Sequence, residues 1–249
     1  MRERVYILGS LVDKTTMEQT LETIKNFIND GKYHHIITAN AEIIYRGVHE
    51  KKLSRTLNKA DLVTADGSGV VWAARYLGNP VPEKVSGIDL LQEICKRAGK
   101  NGWKLYFLGA APGVAEKAVL RILEEYPDCH IVGYEHGYFT QEEEPQIIEN
   151  IKKVKPDILF VALGAPKQEY WIREHLKDLE VPVCIGVGGS FDVLAGNVER
   201  APEWMQKRGL EWLFRLYKEP KRWRRMLALP RFVLAVIGQR ARGEKEREE

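Results

Sequence analysis

Two patterns alternate along the middle of the chain. Residues 103–108 (WKLYFL), 157–163 (DILFVAL) and 181–187 (VPVCIGV) are almost wholly apolar. Strands that meet no water on either face read this way, because period-two alternation is lost when both faces are buried. Residue 114 to near Pro127, residues 145–154 and residues 166–176 read instead as helices. Pro166 opens the last of these at a position where a missing N–H costs nothing. A further short strand is predicted at 129–132. The N-terminal part repeats the scheme, with strands at 5–8, 35–39 and 61–65 and helices at 15–29, 41–49 and 88–98. The first helix has apolar Met17, Leu21, Ile24 and Ile28 on one face and a Thr15-x-x-Glu18 capping box. This alternation predicts an α/β fold: a Rossmann-like, mostly parallel sheet flanked by helices, with right-handed crossovers.

The pattern changes after Gly196. Strands stop, and Trp204, Trp212 and Trp223 supply half of the six tryptophans. We therefore expect a catalytic core over residues 1–195 and a helical, basic appendage over 196–249. Charge sharpens the division. Residues 200–243 carry twelve Lys/Arg against three Glu, a net +9, whereas the remainder carries −6. Such segregation points to an anionic partner for the tail. Arg215, Lys218, Arg222 and Arg225 share one face if the helix is continuous, although Pro220 interrupts their register. Basic residues interleaved with Trp and Leu suit a helix lying in a membrane interface. The apolar stretch 226–237 is shorter than the ~20 residues of a span, so it is expected to lie on a membrane rather than cross it. The charge run 240–249 is expected to be disordered.

Other classes lose support. Cys95, Cys129 and Cys184 are odd in number and scattered, which argues against a disulfide framework or a zinc site. No secretory leader is evident, so a cytoplasmic protein is expected. No strand is followed by G-x-G-x-x-G and no P-loop occurs, which removes nicotinamide and P-loop readings. There is no D-x-D pair and no His/Asp/Glu cluster at ligand spacing; neither a metal nor a cofactor is expected.

Ligands of open parallel sheets gather beyond the carboxyl ends of the strands. Those ends carry Thr38 and Asn40, Asp66, Gly109 and Ala110, Gly164 and Gln168, and Gly189 and Asp192. Asp66 stands between a strand and a Gly-Ser-Gly turn, where a carboxylate is a general base or a helix N-cap. Asp192 has the same ambiguity. Thr38, Asn40 and Gln168 suit recognition of hydroxyl and acetamido groups, or capping of loops. His34 and His35, at a strand start, read as structural.

Several blocks resemble the WecG/TagA/CpsF glycosyltransferases: ITANAEI (37–43), ADLVTADGSGVVWAARYLG (60–78), VSGIDL (85–90), LGAAPGVAEKA (108–118), ALGAPKQEYW (162–171), and the long stretch 186–225. The resemblance runs from about residue 4 to residue 230 and is closest to the TagA type. It implies an inverting transferase that moves N-acetylmannosamine from UDP-ManNAc to polyprenyl-diphosphate-linked GlcNAc, as in the linkage unit of wall teichoic acid. By the same likeness Asp66 is the base, Thr38, Asn40 and Gln168 line the sugar site, and Arg215, Arg222 and Arg225 close over it. Lys84 stands where the family often has Arg, a monodentate cation in place of a bidentate fork. Lys84, Gly109, Ala110, Tyr138, Gly164, Gly189 and Asp192 complete the expected binding set.

The expected partners are thus a UDP-sugar donor, a lipid-diphosphate acceptor and the anionic inner face of the cell membrane. Nucleic acid is not among them, and a homo-oligomer is left open. UDP-ManNAc uronic acid or a UDP-hexose is an alternative donor, and a non-catalytic nucleotide-binding membrane adaptor is the alternative from another class.

Overall fold

The computed structural model describes residues 2–220 and 223–243. In chain order the elements are β1 (Arg4–Ile7), β2 (Ser10–Asp13), α1 (Met17–Asn29), β3 (His34–Ala39), α2 (Ala41–His49), α3 (Lys51–Asn58), β4 (Leu62–Ala65), α4 (Ser68–Tyr76), α5 (Gly87–Asn101), β5 (Lys104–Gly109), α6 (Val114–Glu125), β6 (His130–Glu135), α7 (Glu144–Val154), β7 (Ile158–Ala162), α8 (Lys167–Leu179), β8 (Val183–Gly186), α9 (Ser190–Leu194), α10 (Glu203–Lys207), α11 (Glu211–Lys218), α12 (Trp223–Met226) and α13 (Ala228–Arg242). Six strands form one sheet in the order β4-β3-β8-β7-β5-β6. The β3·β8, β8·β7, β7·β5 and β5·β6 pairs are all parallel, as the apolar runs predict.

By their contacts the residues fall into two units. One comprises Met1–Met17, Thr38–Ser86 and Arg200–Glu249; the other comprises Glu18–Ile37 and Gly87–Glu199. In the second unit β7 is buried along its whole length, and Leu159 and Val161 pack with Trp171 and Ile172 of α8 and Cys184 of β8. In the first unit β1 and β2 form an antiparallel hairpin that the periodicity did not announce beyond residue 8. Its Asp13 carboxylate is buried, where it accepts the Val63 N–H at 2.8 Å and pairs with Arg4 at 3.2 Å. The helix α3 is likewise an addition to the sequence reading.

Two local expectations are corrected. The predicted capping box is not what starts α1. The helix begins at Met17, whose N–H is taken by Glu83, and Glu18 instead takes two guanidinium N–H groups of Arg97. The basic face from Arg215 to Arg225 is not one continuous helix. α11 ends at Lys218, and Glu219 is extended at φ −126°, ψ 75°, as the residue before Pro220 must be to avoid the proline ring. Arg222 lies outside the described residues.

The elements α10 to α13, which follow the boundary expected near residue 196, belong by their contacts to the first unit. Pro230 is tolerated because it falls in the first turn of α13. Phe232, Val236 and Gln239 of that helix are buried. Gln239 Oε1 accepts the Leu8 N–H and its Nε2 donates to the Tyr6 carbonyl, so one amide satisfies both backbone groups beside the hairpin turn. Arg240, where the disordered run was expected to begin, is helical; it donates to the Tyr76 carbonyl and lies 4.6 Å from that ring's centre. Residues 244–249 lie outside the described residues.

Candidate active site

In the first unit the ends of β3 and β4 are stitched together. The Asp66 N–H donates to the carbonyl of Ala39, the residue between Thr38 and Asn40, at 2.9 Å. The Val85 N–H donates to Ala65 at 3.0 Å, and Thr64 Oγ1 donates to Val85. These bonds bring Thr38, Asn40, Asp66 and Lys84, widely spaced in sequence, to one cluster. Asp66 is half-buried. It is not the N-cap of α4: that position is Gly67, at φ 91°, a backbone state that an L side chain strains to adopt. Asn40 does cap a helix, with Oδ1 accepting the Ile43 N–H at 3.0 Å, which leaves its NH₂ as the group free of that duty.

Three contacts tie the C-terminal helices to this cluster. Ser68 Oγ donates to the Gly209 carbonyl, and Gly209 approaches so closely that a Cβ would lie 2.6 Å from that of Ser68. Lys84 Nζ donates to Glu211 Oε1 at 2.7 Å. Arg225 makes a two-pronged pair with Glu42, at 2.8 and 3.1 Å. Arg215 is half-buried on α11. Of the cations expected to meet a diphosphate, Lys84 and Arg225 are thus each balanced by a carboxylate.

In the second unit the glycines at the strand ends permit close backbone approach. A Cβ on Gly109 would lie 2.5 Å from the Ala162 carbonyl oxygen, and one on Gly137 would lie 2.5 Å from Leu163 Cδ2. Ala110 sits at φ 56°, held there by its N–H to Ala162 and its carbonyl to Gly137, both 2.9 Å. Gly164 and Gly189 face open space. Beyond β5 and β6 lies a cleft of about 450 Å³ lined by Gly113, Glu116, Tyr134, Glu135, His136 and Phe139. Tyr138 is nearby in sequence and 73% exposed. Asp192 is half-buried in the first turn of α9, 3.5 Å from Asn197 Nδ2.

Gln168 is a different case: it is only 4% exposed. Its amide holds the Gly188 N–H at 3.0 Å and Glu169 at 2.8 Å. Glu169 went unremarked in the sequence, although it lies inside the ALGAPKQEYW block. Burial pushes its carboxyl up to about 7, opposed by the Gln168 amide and the backbone N–H. Glu42 and Glu211 were missed as well, since an isolated acid in an amphipathic helix looks like solvated surface. His35 is fully buried and kept neutral, with burial and then Arg173 lowering it to about 3; His34 stacks on Phe27. Among the described residues no three His, Cys, Asp or Glu side chains gather as a metal site.

The chain is 36% identical over 223 residues to a Bacillus spizizenii protein named N-acetylglucosaminyldiphosphoundecaprenol N-acetyl-beta-D-mannosaminyltransferase, covering 90% of this chain and 85% of that one. It is 39% identical over 236 residues to a Staphylococcus aureus (strain MW2) protein of the same name, covering 94% and 92%. Residues 5–246 match the family model described as Glycosyl transferase WecG/TagA/CpsF family, and the chain belongs to that family.

Proposed function

We propose that this protein is an N-acetylglucosaminyldiphosphoundecaprenol N-acetyl-β-D-mannosaminyltransferase, an inverting enzyme that takes N-acetylmannosamine from UDP-ManNAc. The observation that carries the reading is the near-full-length likeness to two proteins of that name. The resulting disaccharide lipid is the linkage unit of wall teichoic acid.

The chemistry follows from the first unit's cluster. Asp66 accepts the proton of the acceptor hydroxyl as that oxygen attacks the anomeric carbon. The bond to the UDP oxygen breaks, its electron pair stays with the diphosphate, and attack from the opposite face turns an α-linked donor into a β-linked product. The transition state is oxocarbenium-like, as in glycoside hydrolysis. Charge grows on the leaving diphosphate, and Lys84, Arg215, Arg222 and Arg225 are the cations assigned to meet it. For two of them this means exchanging Glu211 and Glu42 for phosphate oxygens. In the second unit, the glycine-lined strand ends suit a nucleotide. The carboxylates of the cleft near Tyr138 suit ribose hydroxyls.

No helix among the described residues is long and apolar enough to cross a membrane. We assign the first unit's C-terminal helices to the inner leaflet surface. Trp204, Trp212, Trp223, Leu234 and Ile237 are exposed there beside an excess of cations, which supports peripheral binding.

The test is direct. Protein, UDP-ManNAc and a GlcNAc-diphosphate lipid should yield one UDP per disaccharide lipid, followed by mass spectrometry. A panel with UDP-ManNAc uronic acid and UDP-hexoses fixes the donor. Absence of any product, under conditions where the Staphylococcus aureus relative makes it, sinks the proposal.

A further inference from the structure

Gln168 and Glu169 are consecutive in the first turn of α8, and both are buried, Glu169 to 1% exposure. The amide of Gln168 is oriented by two unlike partners. Its oxygen accepts the Gly188 N–H at 3.0 Å, and its nitrogen donates to Glu169 Oε1 at 2.8 Å. Both side chains press on the last residue of β8: a Cβ on Gly186 would lie 2.7 Å from Gln168 Nε2 and 3.1 Å from Glu169 Oε1. An amide turned over by 180° would aim N–H at N–H on one side and oxygen at carboxylate on the other. Both are repulsive, so the carboxylate selects one orientation. Glu169 Oε2 is buried without a hydrogen-bond partner in the structure. A half-satisfied buried carboxylate is destabilising, and a leucine or glutamine would fill the space at lower cost.

We propose that Glu169 is a positioning residue for sugar transfer: its carboxylate locks the Gln168 amide, and through it the Gly188-Gly189 turn at the carboxyl end of β8. That turn leads directly into α9 and Asp192, and Gly188 stands at φ 54°. The role in transfer rests on the function proposed above, whereas the lock itself rests on geometry alone. The carboxyl, raised by burial to about 7, changes charge close to neutral pH. Other titratable groups on the elements packed here are Cys184 on β8, whose thiol is pushed up by burial, His35 on β3, which is neutral, Lys167 and Arg173 on α8, and Glu144 of α7, which pairs with His175. Burial and hydrogen bonds, with no charged neighbour, account for the displacement at Glu169.

The linkage sign separates this role from a structural one. An acid whose folded pKa is raised loses stability as pH climbs from its ordinary 4.5 through about 7. Glu169→Gln therefore melts no lower than wild type at pH 8. A positioning role nonetheless requires its kcat/KM for the donor to fall about tenfold or more at that pH, within the range that small misplacements produce. Wild-type turnover should rise through pH about 7 and the variant's should be flat there. In ligand-free full-length protein, the Gly188 amide resonance should titrate near pH 7 in wild type and not in Glu169→Gln. Unchanged turnover in Glu169→Gln, or a Gly188 titration that survives the substitution, overturns the proposal. If wild type transfers no sugar, the functional reading fails on its own and the resonance still decides the lock.

Discussion

Lys84 Nζ donates to Glu211 Oε1 at 2.7 Å, joining the segment before α5 to the first residue of α11 across 127 positions of sequence. Both side chains are roughly one-third exposed, so the pair is worth at most ~1 kcal/mol of stability. Its larger consequence is electrostatic: a carboxylate holds in position the cation proposed to meet the diphosphate. Lys84→Met should leave the melting temperature nearly unchanged and lower kcat/KM for the donor by about ten- to a hundredfold, as one charge-assisted contact of ~1.5–3 kcal/mol is lost. Lys84→Arg should retain most activity. A melting shift as large as the kinetic loss would make the pair structural.

Asp66→Asn is expected to keep the fold, because its backbone N–H still reaches Ala39. Turnover should drop at least ~100-fold, the low end for loss of a general base. UDP binding, measured by calorimetry, should stay within a few-fold of wild type. Normal turnover removes Asp66 from the mechanism.

Arginines and a lysine are assigned to the leaving group, and the sequence has no D-x-D pair. Activity in excess chelator should therefore stay near its untreated level. A tenfold loss that Mg²⁺ or Mn²⁺ restores would show that these cations do not suffice.

The last helix permits a separation of folding from membrane binding. Gln239→Ala strands the Leu8 N–H and the Tyr6 carbonyl, and should cost about 1–3 kcal/mol per group left without a partner in chemical denaturation. Leu234 and Ile237 of the same helix are exposed. Changing both to Glu should leave stability within about 0.5 kcal/mol, as for other surface sites, and release the protein from anionic vesicles. Equal vesicle partitioning of this double variant and wild type would place the membrane surface elsewhere.

The strands β5, β7 and β8 were legible because burial on both faces forces a continuous apolar run, a local property of the chain. The Asp66 and Gly109 ends followed from the same reading, since ligands of parallel sheets meet the residues just past those runs. What the sequence could not declare depends on packing between distant positions. Glu42 and Arg225 are 183 residues apart, and neither carries a mark that names the other. Gln168 reads as a hydrogen-bonding group just past a strand end, for a sugar or a loop, yet α8 docks so that Gln168 and Glu169 turn inward onto Gly186. The hairpin strand β2 hides behind Asp13, a charge that becomes tolerable only once the Val63 N–H and Arg4 surround it. Local pattern thus determined which segments are strands and helices and where the candidate base stands. Tertiary packing decided which charges are paired, which amide is locked, and which face of the last helix stays open, because each of these depends on burial that no stretch of sequence contains by itself.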